Sequence, residues 1–411
     1  MKFDIFFSIS QTPVQGYLPT EQVMFENFFE QVIAADELGY ETAWIAESHF
    51  SAQTQKTHKH VVVPHWEGEV GLNADIFQLS HQVFHKTKKI ETGSAVMNIV
   101  CNGGPIAAAE KLATFCTLHG LNPEEKRKIH LGFSAGRFEF MNRVSGVLAR
   151  NSFEEQVWPV LKGKIFLEAT EIFLRLLRGE AIASNDVSPA TLKPSDFRTK
   201  EDWDNAWKSA EASQKKNDHI VVTNRWQFEK IKIIPQDWQR DLCQPIIGSH
   251  DPQAQEHANQ FFPTRVFNLS ITKPEVIDET HARMQKSYHH AGGPWKREYM
   301  PRTVFVFLNE QTNLSTEQKS QKARAEAQEA LSAYWKAIEG TLDPKKISNA
   351  ADNALIGTAE EVATQIVERF HPDDRLMLWF DFFNHDSGRI VENMNAFKTK
   401  VIPLVKERLR P

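Results

Sequence analysis

Short apolar runs alternate along the chain with longer stretches in which apolar residues recur every three or four positions. The first rhythm belongs to buried strands and the second to amphipathic helices. Residues 3–9 predict a strand, and 21–39 a helix closed by Gly39. A second strand is expected over 42–46, a helix over 74–87 and a third strand over 90–96. The helix over 105–120 opens on Pro105 and stops at Gly120, the usual asymmetry of helix ends. Residues 128–134 follow as a fourth strand and 165–179 as a helix. The rhythm then breaks. Residues 181–222 are polar, rich in Ser, Asp and Lys, and show no clear period, as expected of a long excursion on one rim.

Order resumes with strands over 244–249, 265–271 and 303–309, separated by helices over 252–262 and 274–291. Two helices follow, 316–340 and 358–370, the second opened by a capping box of Thr358 and Glu361. A strand over 375–383 and a helix from Ser387 complete the pattern. Eight strands, most followed by a helix, imply parallel strands joined by crossovers. The expectation is α/β: a (β/α)8 TIM barrel, one domain over residues 1–411, with 181–222 as a rim insertion and candidate lid.

Composition narrows the function classes. The chain has 411 residues, 41% hydrophobic and 25% charged, an ordinary globular balance. Its formal charge of −5 is spread along the chain, so no basic stripe suggests nucleic acid. Cys101, Cys116 and Cys243 are far apart and form no CxxC, which argues against a disulfide framework or zinc and for a reducing, cytoplasmic setting. The opening MKFDIFFSIS reads as a first strand rather than a signal peptide. No apolar run approaches the roughly 20 residues that span a bilayer.

Candidate chemistry begins at YETAWIAESHFS, residues 40–51. A strand there runs directly into Glu47, Ser48 and His49. In a barrel, functional groups gather where strands end at the C-terminal rim. His49 is suited to donating a hydrogen bond to an oxygen intermediate or moving a proton near neutral pH, and Glu47 to orienting the imidazole. A strand cap with a satisfied surface histidine is the plain alternative.

The stretch YETAWIAESHF resembles the second-strand signature of the bacterial luciferase-like flavin monooxygenases, in which an acid and two histidines follow the strand. Here Ser48 replaces the first histidine. Four further stretches resemble the family in order: 90–115, 129–147, 225–258, and 355–366 together with 393–407. The resemblance implies reduced FMN bound at the C-terminal mouth and used to activate dioxygen, with the flavin supplied by a separate reductase. No G-x-G-x-x-G fingerprint for a pyridine nucleotide follows a strand. It also implies a homodimer, a small organic substrate and a shielding lid, for which 181–222 and 340–355 are candidates.

By the same resemblance, Ala95–Val96 occupies the place of a non-proline cis peptide beneath the ring, and Asn98 lies just beyond it. The family's reactive cysteine falls on Ser134 and its phosphate arginine on Ala135. Arg137, two residues on, either takes over the phosphate or pairs with Glu139 or a helix end. The turn at Gly248, Ser249, His250 and Asp251 precedes a helix N-terminus suited to the flavin phosphate, with Asp251 as the helix N-cap. His49, His58, His60 and His65 lack metal-ligand spacing and share their stretch with Lys56 and Lys59, so no metal is expected. Trp379, on the last strand, could stack on a flavin, but core packing is the usual fate of strand tryptophans. Two other functions remain open: a deazaflavin-dependent oxidoreductase, and a non-catalytic flavin-binding or partner subunit.

Overall fold

A computed structural model describes residues 1–57, 63–136, 138–339 and 351–410. Its strands are β1 (Lys2–Phe7), β2 (Thr42–Ile45), β3 (Glu91–Asn98), β4 (Ile129–Ser134), β5 (Ala190–Leu192), β6 (Lys215–Lys216) and β7 (His219–Val222). They continue as β8 (Cys243–Ile247), β9 (Arg265–Val266), β10 (Arg302–Leu308), β11 (Leu355–Gly357) and β12 (Arg375–Trp379). Nine of them form one ladder in the order β11-β10-β12-β1-β2-β3-β4-β8-β9, and every pair in it is parallel.

The ladder curls back on itself. Asn268, just past β9, bridges Arg302 at the start of β10. The Asn268 amide donates to the Pro301 carbonyl at 2.9 Å, and the Thr303 amide to the Asn268 carbonyl at 3.2 Å. Helices ring the outside, so strands such as β4 and β10 are buried along their whole length. That two-sided burial is why they read as continuous apolar runs rather than as alternation.

All eight expected strands are present, with shifted ends. The run over 265–271 keeps a ladder only at Arg265–Val266 and the Asn268 bridge, and the last barrel strand stops at Trp379. The ninth, β11, has three residues, too few to display a two-residue period. The helix expected over 165–179 is the second half of Ser152–Arg178, whose first half holds Pro159 and several charges. Residues 181–222 are also more regular than their polarity suggested. They contain the helix Lys200–Ser209 and a separate antiparallel sheet, β5-β7-β6.

This insertion is tied to the outer helix Ser152–Arg178. Lys164 pairs with Asp196 at 2.9 Å, and the Ser188 amide donates to Glu171 at 3.3 Å. Just after it, the Arg225 and Trp226 amides donate to Glu168 at 2.9 and 3.0 Å. The expected capping box is present, with Thr358 accepting from the Glu361 amide and Glu361 from the Thr358 amide.

Candidate active site

The strand ends of β1, β2, β3, β4, β8 and β12 meet on one face, the C-terminal mouth. Five residues other than glycine take positive φ in the segments leaving β1, β2, β3 and β12: Ile9 (44°), Gln15 (51°), Phe50 (61°), Asn102 (53°) and Phe383 (50°). Such a conformation costs roughly 1–3 kcal/mol in a bulky or branched residue and concentrates at functional rims.

At the end of β2, His49 is only 8% exposed and its Nε2 lies 3.0 Å from Oε1 of the buried Glu47. Residues 47 and 49 share a face because alternate residues of an extended chain point the same way. The imidazole also bonds Cys101, whose Sγ lies 3.6 Å from the Asn98 carbonyl. Cys101, and after it Glu47, favour the protonated ring against the opposing burial, and push His49 up to about 10. Burial raises Glu47, with His49 and the Asn98 amide acting the other way. The cluster therefore holds a proton tightly near pH 7.

On β3 the ladder shifts register between Ser94 and Met97, and the Ala95–Val96 peptide there is cis, as the resemblance implied. The neighbouring strands accommodate it with glycine. A Cβ on Gly132 would meet the Ser94 carbonyl oxygen at 2.1 Å, and one on Gly248 would meet Val96 at 3.2 Å. Asn98 is committed within the protein. Its Nδ2 donates to Asn142 at 2.7 Å and its Oδ1 accepts from the Val100 amide at 2.9 Å. Ser134 pairs with Asn98 across the ladder, and its Oγ accepts from the Gly136 amide at 2.9 Å.

The turn after β8 adjoins these groups, since the Gly248 amide donates to the Phe133 carbonyl at 2.8 Å. Asp251 caps the helix Pro252–Phe261, accepting from the Gln253 amide at 2.9 Å. Ser249 Oγ accepts from the Asp251 amide at 3.2 Å. His250 Nε2 lies 2.9 Å from Thr272 Oγ1, and burial lowers its pKa. The structure thus brings Ala95, Val96, Asn98, Ser134, Gly248 and Ser249 onto adjoining strand ends, with His49 and Glu47 one strand away. Arg137, His58 and His60 lie outside the described residues, as do 340–350 of the second candidate lid.

On the other half of the mouth, sequence reading singled out Trp379 and missed Asp381 and the other aromatic residues. Trp379 is half-buried and forms an aromatic wall with Phe6 (ring centroids 4.4 Å apart), Phe305 (5.0 Å) and Phe382 (5.0 Å). Beside it, Asp381 Oδ2 accepts from the Ser8 amide and hydroxyl, both at 3.2 Å. The signal available in the sequence was an acid set among aromatics in WFDFF at a strand end. Above the mouth, Trp66, Cys101, Phe138 and Met141 form an apolar roof with Tyr334, Ile338 and Phe383 packed on it. The roof thus draws on the segment after β2, the start of the helix Glu139–Val144 and the end of the helix Thr316–Glu339.

A cavity of ≈ 310 Å³ lies elsewhere, between the helix Ser152–Arg178, the insertion and the helix Pro252–Phe261. Most of its charged groups are already matched: Lys164 with Asp196, Glu171 with Arg175, and Glu168 with two backbone amides. The mouth, where buried polar groups keep free atoms, is the better candidate site.

A family model described as luciferase-like monooxygenase matches residues 1–186. No curated protein matches the chain. Among solved structures, the monooxygenase RslO1 from Streptomyces bottropensis superposes with a TM-score of 0.65 at 17% identity, covering 98% of this chain and 99% of that one. The oxygenating constituent of 3,6-diketocamphane monooxygenase from Pseudomonas putida, in complex with FMN, gives 0.58 at 11%, covering 98% of each. An F420-dependent secondary alcohol dehydrogenase gives 0.56 at 15%, again covering 98% of each. These likenesses establish the fold. Residues 1–186 match the luciferase-like monooxygenase family, and the chain as a whole shares the fold of these solved structures.

Proposed function

We propose that this protein is a flavin-dependent monooxygenase that takes reduced FMN from a separate reductase and uses O2 on a small organic substrate. What supports this reading most is the buried Glu47–His49–Cys101 set at a strand end, in a mouth that also carries an aromatic wall and an apolar roof to which Cys101 belongs. A dry, flat-walled mouth with a tightly held proton suits a planar ring whose oxygen chemistry must be kept from water.

The mouth offers groups for the ring and for a phosphate. Trp379, Phe6 and the Ala95–Val96 unit would hold the tricycle, and the Trp379 indole N–H is buried without a partner. At the phosphate end, Ser134, Ser249 and His250 offer polar atoms, while the Asp251 carboxylate already takes an amide of the helix start. When bound, the flavin supplies the oxygen chemistry, while the chain orients the ring, excludes water and holds a proton at His49.

A deazaflavin-dependent oxidoreductase is the second reading, favoured by the F420-dependent neighbour. Anaerobic titration with reduced FMN and, separately, with the reduced deazaflavin tests both. Saturable binding of FMN and slowed reoxidation on admitting air are expected. Preference for the deazaflavin would replace the first reading with the second, and binding of neither would leave a non-catalytic subunit.

A further inference from the structure

Two polar atoms at the mouth lack partners, and they sit side by side. Asp381 Oδ1 is buried and unbonded, although Oδ2 of the same carboxyl accepts from the Ser8 amide and hydroxyl. The Trp379 Nε1–H is close enough to favour the ionised carboxyl, yet it too makes no hydrogen bond of sound geometry. Buried polar atoms are normally satisfied, and an orphaned acceptor beside an orphaned donor calls for a missing partner. That partner needs a donor and an acceptor of its own, as a hydroxyl or the edge of an amide or imide has.

Resting on the flavin reading above, we propose that Asp381 and Trp379 form a polar docking pair for the ligand of the mouth. Trp379 donates to the ligand's acceptor, and Asp381 exchanges a proton with its donor. Burial supports the second role by raising the carboxyl to about 6 against the opposing pull of Ser8 and Trp379. The surrounding titratable groups are engaged elsewhere. On the same loop, His385 Nε2 lies 2.7 Å from the Thr12 carbonyl oxygen. After β2, Glu47 and His49 bond each other, and after β10 Glu310 pairs with Lys319 and Lys400. Tyr334 meets this loop through its ring, 5.4 Å from Phe382. None of these forms an ion pair with Asp381 among the described residues.

The test is reduced-FMN affinity, measured anaerobically from pH 5 to 8 for the wild type, Asp381→Asn and Trp379→Phe. The wild-type affinity is expected to change about tenfold across pH 6, as for one hydrogen bond to a charged group. Asp381→Asn should flatten that profile, and Trp379→Phe should weaken binding several-fold at every pH. Infrared titration of the ligand-free wild type should show a carboxylic-acid band that fades through pH 6, and FMN should shift it. A band indifferent to FMN, or variants with the wild-type affinity profile, would overturn the pair while leaving the flavin reading intact. Absence of any FMN binding by the wild type would bring both down.

Discussion

The two ends of the barrel interior are built from similar residues and arranged to opposite purposes. At the N-terminal end, Asp4 is fully buried and both its oxygens accept from Arg375 at 3.0 Å, with a third bond from Trp44 at 2.8 Å. Arg375 reaches Glu41 at 2.9 Å, and His130 lies 2.6 Å from Glu91. Each acid there meets its counter-group. At the C-terminal end, Asp381 keeps a free oxygen, Trp379 a free N–H, and the chain runs through left-handed residues. Arg375 Nε and His130 Nδ1 also lack partners, so what separates the two ends is their buried aspartates: Asp4 is paired with a cation, whereas Asp381 keeps a free oxygen.

The largest expected effect breaks the paired end. Arg375→Met strands Asp4 in a dry interior and should cost about 3–5 kcal/mol in denaturant unfolding, with flavin affinity unchanged in the fraction that folds. Gly132→Ala should come next, destabilising by about 2–4 kcal/mol because the new methyl meets the Ser94 carbonyl backbone. At the other end, His49→Ala should slow turnover by about 10²-fold or more while the protein still folds.

The pH dependence sharpens the same contrast. His49 is raised to about 10 from an ordinary 6.5, so its stabilising contribution is complete below pH 6.5 and lost as pH rises through 10. Wild-type stability should therefore fall toward that of His49→Ala across this window in parallel melts. The smallest effect concerns Phe50, 53% exposed at φ 61°. Phe50→Gly relieves the left-handed strain and should raise stability by about 1 kcal/mol, at a cost in turnover if the rim needs that side chain.

The sequence disclosed the barrel because apolar strands and periodic helices are local signals. It disclosed Glu47 and His49 because their two-residue spacing at a strand end fixes a shared face. Asp381 went unread because its character comes from Ser8, nearly the whole chain away, and from burial that no local pattern records. Trp379 packs against the core, as strand tryptophans usually do, and also stands on the wall of the mouth. A three-residue β11 and the first half of Ser152–Arg178 were hidden by shortness and by Pro159, and the regular insertion by its polarity.

The most direct measurement is a crystal structure of the protein soaked with FMN. The account predicts ring density at the C-terminal ends of β3 and β12, between the Ala95–Val96 unit and Trp379, within reach of His49. Ring density in the outer cavity near Lys164 and Asp196, or a mouth filled by its own side chains, would contradict it.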